Sequence, residues 1–126
     1  MNSNKKRVLI VDDDEKSRQI FRIYMTSLGF DTFLVHDGEE ALEILTGDPY
    51  FDLIITDVMM PYSTGFDFTK KLKEYRETKD IPVIGTSAFH DWKKAREERE
   101  FLVDGFVPKP VERRALLKEI DKIFKK

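Results

Sequence analysis

Val8-Leu9-Ile10-Val11-Asp12-Asp13-Asp14 is the stretch whose reading decides the fold. Four successive apolar residues, partly β-branched, have no polar face to offer water, so they read as a short strand buried on both sides. The run stops at three aspartates. Ile20, Phe21, Tyr24, Met25 and Leu28 then recur at helical spacing as far as Gly29, where a helix would end in a left-handed residue.

The same unit repeats along the chain. Residues 32–35 form a second apolar segment, and Asp37 followed by Glu40 resembles a capping box opening a helix through Ala41, Leu42 and Leu45. Gly47-Asp48-Pro49 ends it. Leu53-Ile54-Ile55-Thr56 predicts a third strand that stops at Asp57, with Phe68, Leu72 and Tyr75 as the buried stripe of the next helix. A fourth strand is predicted over residues 81–87, with Pro82 near its start, where a missing donor is tolerable. A fifth begins at Phe106-Val107 and runs into Lys109, and the last helix carries Leu116, Leu117, Ile120, Ile123 and Phe124. Between them, residues 93–100 read as a solvated helix face with Trp92 and Leu102 as a thin apolar stripe. Strands alternating with helices imply right-handed crossovers and a parallel sheet covered on both faces, hence the α/β class.

The 126 residues, 40% of them hydrophobic, are enough for one domain with a core that requires no disulfide or structural metal. No repeat or linker divides them, so residues 1–126 are expected to form a single domain. Absence of cysteine excludes a thiolate metal site and a cysteine nucleophile, and it fits a reducing compartment, with the cytoplasm as the expectation. The apolar runs are too short to span a bilayer, and the first seven residues lack the apolar region of a signal peptide. Acidic and basic residues, 24 and 22, are interspersed and give a net charge of −2, which offers no basic field for nucleic acid. Asparagine and glutamine occur only at Asn2, Asn4 and Gln19, while 37% of residues are charged, a weak hint of heat adaptation.

Ligands of open parallel sheets bind beyond the carboxyl ends of the strands. There the first strand ends at Asp12-Asp13, the third at Asp57, the fourth at Ser87 and the fifth at Lys109. Three crowded carboxylates resist full ionisation unless a cation joins them. An oxygen-only donor set favours a hard ion such as Mg²⁺. Carboxylate, metal, lysine and hydroxyl are the parts required for phosphoryl transfer onto an aspartate, and Asp57, alone at the end of a central strand, is the best nucleophile.

The strings Val11-Asp12-Asp13-Asp14, Asp57-Val58-Met59-Met60-Pro61 followed by Gly65, Pro82-Val83-Ile84-Gly85-Thr86-Ser87-Ala88, and Pro108-Lys109-Pro110 resemble the signature of bacterial response-regulator receivers, over nearly the whole chain. The resemblance implies a doubly wound, flavodoxin-like sheet of five parallel strands in the order 2-1-3-4-5. It implies Asp57 as phospho-acceptor, and Mg²⁺ held by Asp13, Asp57 and the Met59 carbonyl, with Asp12 helping through water. It further implies Lys109 pairing with the phosphoryl group, Ser87 hydrogen-bonding a phosphoryl oxygen, Phe106 as the switch aromatic and a cis Lys109-Pro110 bond. The implied partners are a histidine kinase or histidine phosphotransfer protein, and a downstream protein target at the helix over residues 93–100, the fifth strand and the last helix. Direct nucleic-acid or membrane contact is not expected. The chain would then act as a stand-alone regulator, chemotaxis-regulator-like, a relay intermediate or an excised receiver.

Taken singly, these residues have plainer readings: Asp12 to Asp14 as helix caps, Asp57 as a turn residue, Lys109 as a loop charge and Ser87 as a polar strand end. Their arrival together at four strand ends favours the site. His36 and His90 form no ligand motif and are expected to be exposed. Phe101-Leu102-Val103-Asp104-Gly105 stands where many relatives have a small turn, and Phe106 lacks the hydroxyl of a tyrosine. Met59 and Phe89, two residues after Asp57 and Ser87, are bulky and apolar, which predicts a shielded, slowly hydrolysing acyl phosphate that Met59→Asn should accelerate. Two rivals remain open: a phosphorylation-independent pseudo-receiver, and a small Mg²⁺-dependent phosphohydrolase, whose usual second acid would stand where Met59 does.

Overall fold

The computed structural model describes residues 5–58, 65–88 and 103–125. The described elements are β1 (Arg7–Val11), α1 (Glu15–Ser27), β2 (Asp31–Val35), α2 (Gly38–Gly47), β3 (Leu53–Asp57), α3 (Gly65–Glu74), β4 (Val83–Ala88), β5 (Gly105–Lys109) and α4 (Arg113–Phe124). All strand pairs are parallel and the order is β2-β1-β3-β4-β5, as expected from the resemblance. The helix expected over residues 93–100, with Trp92 and Leu102, lies outside the described residues.

Strand side chains alternate between faces, so each apolar run supplies two cores. Val8, Ile10, Leu53, Ile55, Ile84 and Val107 pack with Phe21 and Met25 of α1 and Leu116 and Ile120 of α4. Leu9, Val11, Ile54 and Val83 pack on the other face with Ala41 and Leu45 of α2 and Phe68 and Leu72 of α3. Each fully buried large apolar side chain contributes about 2 kcal/mol. Among the described residues, no helix is long and apolar enough to cross a membrane.

The helix ends follow from local chemistry. Asp14 caps α1 by accepting from the Ser17 amide at 3.0 Å. At the other end, Gly29 has φ of +93°, its N–H bonds the Thr26 carbonyl, and the Phe30 N–H bonds the Met25 carbonyl, a Schellman closure. Gly29→Ala should cost about 1 kcal/mol, because the left-handed conformation disfavours a Cβ, and chemical denaturation will measure it. Asp37 accepts from the Glu40 amide at 2.8 Å, but Glu40 returns its carboxylate to the amide and ring of His36 rather than to Asp37, so the box is displaced by one residue.

Three sequence expectations need correction. β4 begins at Val83, leaving Pro82 before the strand, where its carbonyl still accepts from Ile54. β5 begins one residue earlier than expected, at Gly105. Tyr75 is 53% exposed, because α3 ends at Glu74. The position below Leu72 is filled by Thr78, whose hydroxyl donates to the Leu72 carbonyl at 2.7 Å.

Candidate functional site

Alternation along the strands builds the site on top of one core. Two residues beyond Ile10, Ile55, Ile84 and Val107, on the same face, come Asp12, Asp57, Thr86 and Lys109. In register, Asp57 pairs with Thr86 and Thr86 with Val107, so Lys109 starts one row farther out, beside Ala88. Its long side chain crosses back over β4 to reach the acids.

Lys109 Nζ stands 2.5 Å from Asp57 Oδ2 and 3.0 Å from Asp12 Oδ2. The ion pairs are secluded: side-chain exposure is 18% for Lys109, 7% for Asp57 and 1% for Asp12. Burial pushes the Asp12 carboxyl up to about 6; the Asp14 amide, which donates to it at 2.9 Å, and Lys109 oppose the rise, and the Asp57 charge adds to it. Burial draws the Lys109 ammonium down, but its bonds and charge attraction to Asp57 and then Asp12 outweigh this and hold it above the ordinary lysine value.

Asp12, Asp13 and Asp57 each present a carboxylate oxygen, all within 4.8 Å of one another, with Asp13 exposed. Three hard oxygen donors, one of them raised by burial and so costlier to ionise, fit a small divalent cation. Because the proton on Asp12 would compete with that cation, Mg²⁺ affinity should fall as pH drops through about 6, and Asp12→Asn should flatten this dependence; metal titrations at several pH values will read it.

Ser87 is fully buried, and its hydroxyl has no hydrogen-bond partner among the described residues. By alternation it lies on the opposite face from Asp57, with Gly85. There Phe106 and Val103 pack against Val58, and a Cβ on Gly85 would come within 3.1–3.2 Å of all three side chains. The Phe106 amide donates to Glu119 Oε1 of α4 at 3.2 Å, tying the strand to the helix. Lys109-Pro110 is cis. Met59, with the carbonyl expected to bind metal, and Phe89, His90 and residues 93–100 lie outside the described residues. His36 is exposed and paired with Glu40 at 2.6 Å. Thr86 shares the acids' face, a placement that the sequence does not reveal and that the pairing of Asp57 with Thr86 decides.

The family model described as response regulator receiver domain matches residues 8–121. The transcriptional regulatory protein CpxR of Escherichia coli strain K12 is 34% identical over 120 residues, covering 95% of this chain and 50% of that protein. The polar-differentiation response regulator DivK of Brucella ovis is 33% identical over 106 residues, covering 84% of this chain and 85% of that protein. The phosphodiesterase regA of Dictyostelium discoideum is 34% identical over 125 residues, but the chain spans only 16% of its length. Among solved structures, the chemotaxis response regulator CheY4 of Vibrio cholerae superposes with a TM-score of 0.84 at 30% identity, covering 96% of this chain and 100% of that one.

Proposed function

The chain belongs to the response regulator receiver domain family, a phosphoacceptor module of two-component signalling, and from that premise we propose that Asp57 is the residue phosphorylated. The observation that carries the assignment is the Asp57 carboxylate itself, secluded beside Asp12 and Asp13 with an ammonium at 2.5 Å. In the proposed reaction a carboxylate oxygen of Asp57 attacks the phosphorus of a phosphohistidine on a histidine kinase or phosphotransfer protein. A P–O bond forms as the P–N bond breaks, and the departing electron pair stays on the imidazole nitrogen, which takes a proton from water. Asp13 and Asp57 would hold Mg²⁺, with the Met59 carbonyl as a further donor and Asp12 helping through water. Bound there, the ion would neutralise charge gathering on the phosphoryl oxygens.

Lys109 turns its ammonium toward a phosphoryl oxygen, and the Ser87 hydroxyl, unpaired among the described residues, moves to donate to another. With Ser87 and Phe106 on one face, this movement biases two pre-existing states. The Phe106 amide's bond to Glu119 passes the shift to α4, so β5 and α4, with residues 93–100, form the surface read by a protein target in the cytoplasm. The only reaction assigned to the chain is its own phosphorylation and dephosphorylation.

The test is incubation with Mg²⁺ and acetyl phosphate, followed by intact mass over time. One metal-dependent phosphoryl adduct is expected, decaying slowly if Met59 and Phe89 shield it. No adduct from acetyl phosphate or from a phosphohistidine donor would favour a phosphorylation-independent binding module.

A further inference from the structure

Thr86 is fully buried, yet its hydroxyl has no hydrogen-bond partner among the described residues. Native proteins rarely tolerate this, because an unpaired buried hydroxyl is destabilising and an apolar residue of the same shape would remove the penalty. Its location is specific. Thr86 pairs in register with Asp57, on the same face, and continues the row of Asp12 and Asp57 across the sheet. Lys109 rises from β5 on the other side of β4, so its stem crosses β4 on the face that holds Thr86 to bring Nζ to Asp57 and Asp12. The ammonium is drawn two strands past its own neighbour by the two carboxylates, and the Thr86 hydroxyl is left without a donor.

We propose that Thr86 is a positioning residue for phosphoryl transfer, its hydroxyl oxygen accepting an N–H of Lys109 when the ammonium leaves the carboxylates for the phosphoryl group. The proposal rests on the receiver reading above. Once Asp12 and Asp57 have other partners, the attraction that stretches Lys109 toward β1 is removed, and Nζ returns toward β4. An ammonium has three N–H donors. One accepted by Thr86 fixes the direction of the others toward the phosphoryl oxygens, which lowers the orientational cost of the transition state. The hydroxyl is thus unpaired in the resting state and used in the reacting one.

The experiment compares the full chain with Thr86→Val, which keeps the shape and removes the hydroxyl, and Thr86→Ser, which keeps the hydroxyl. Two quantities are read: the melting temperature in metal-free buffer, and the rate of adduct formation with Mg²⁺ across a range of acetyl phosphate concentrations. Thr86→Val is expected to melt at or above the wild-type temperature while its maximal rate falls about tenfold, with half-saturation unchanged; Thr86→Ser should stay within about twofold of wild type. A wild-type rate in Thr86→Val overturns the proposal. So does an equal rate loss in Thr86→Ser, or a loss accompanied by a lowered melting temperature, since either would make Thr86 a packing residue. A wild-type chain that forms no adduct would overturn the receiver reading itself, and this proposal with it.

Discussion

Asp57→Asn is expected to remove the phosphoryl adduct altogether, a loss of at least about a hundredfold in rate, while leaving the protein folded. The amide lacks the negative charge and the nucleophilic oxygen, and no other described carboxylate stands in its position: Asp12 is raised by burial to about 6 and Asp13 is exposed. Stability should change by no more than about 1 kcal/mol, because two effects oppose each other. Lys109 loses its 2.5 Å partner but keeps Asp12 at 3.0 Å, and one charge leaves a crowded acidic cluster. Relieved of the Asp57 charge, Asp12 should titrate somewhat lower, though still above an ordinary aspartate because its burial persists. Intact mass and a thermal melt of the same sample separate the two effects. An adduct that persisted in Asp57→Asn would move the acceptor elsewhere, whereas an unfolded mutant would make Asp57 structural.

Lys109→Met should be the most destabilising substitution at the site, by about 3 kcal/mol in metal-free protein at neutral pH. The ammonium is mostly buried, and its removal leaves Asp12 and Asp57 buried, adjacent and without their cation. The pH dependence has a definite sign. Asp12 is raised in the folded state from 3.8 to about 6, so its contribution to stability is fully present below the lower value and is lost as pH rises through the upper one. Without Lys109, which lowers the Asp12 value, the rise is larger and the loss extends to higher pH. Lys109 itself is raised, so its own contribution holds at neutral pH and disappears only as pH climbs through its folded value. The deficit of Lys109→Met should therefore be small in acid, where Asp12 is protonated, and grow toward neutrality. Added Mg²⁺ should recover more stability in the mutant than in wild type, since the ion replaces the missing positive charge. Calorimetry from about pH 4 to 8, with and without Mg²⁺, reads the whole pattern. A deficit independent of pH and metal would mean that the lysine stem, rather than its charge, supports the site.

Much of the molecule was legible along the chain because its determinants are local. The run of Val8 to Val11 can be buried only as a strand covered on both faces, and Asp14, Asp37 and Gly29 mark helix ends through bonds within a few residues. The order of strand ends likewise brings Asp12, Asp13, Asp57 and Lys109 together, since parallel strands deliver their carboxyl ends to one edge. Other features depend on what crosses between strands and on where elements stop. The exposure of Tyr75 and the substitution of Thr78 beneath Leu72 follow from α3 ending at Glu74, which periodicity did not reveal. The raised Asp12 value arises from burial under neighbours distant in sequence, and the Phe106 amide bond to Glu119 from the docking of α4 on an edge strand. Register decided the placement of Thr86 and Ser87, adjacent in sequence, on opposite faces of the sheet, because a strand alternates its side chains and only pairing shows which face holds the acids.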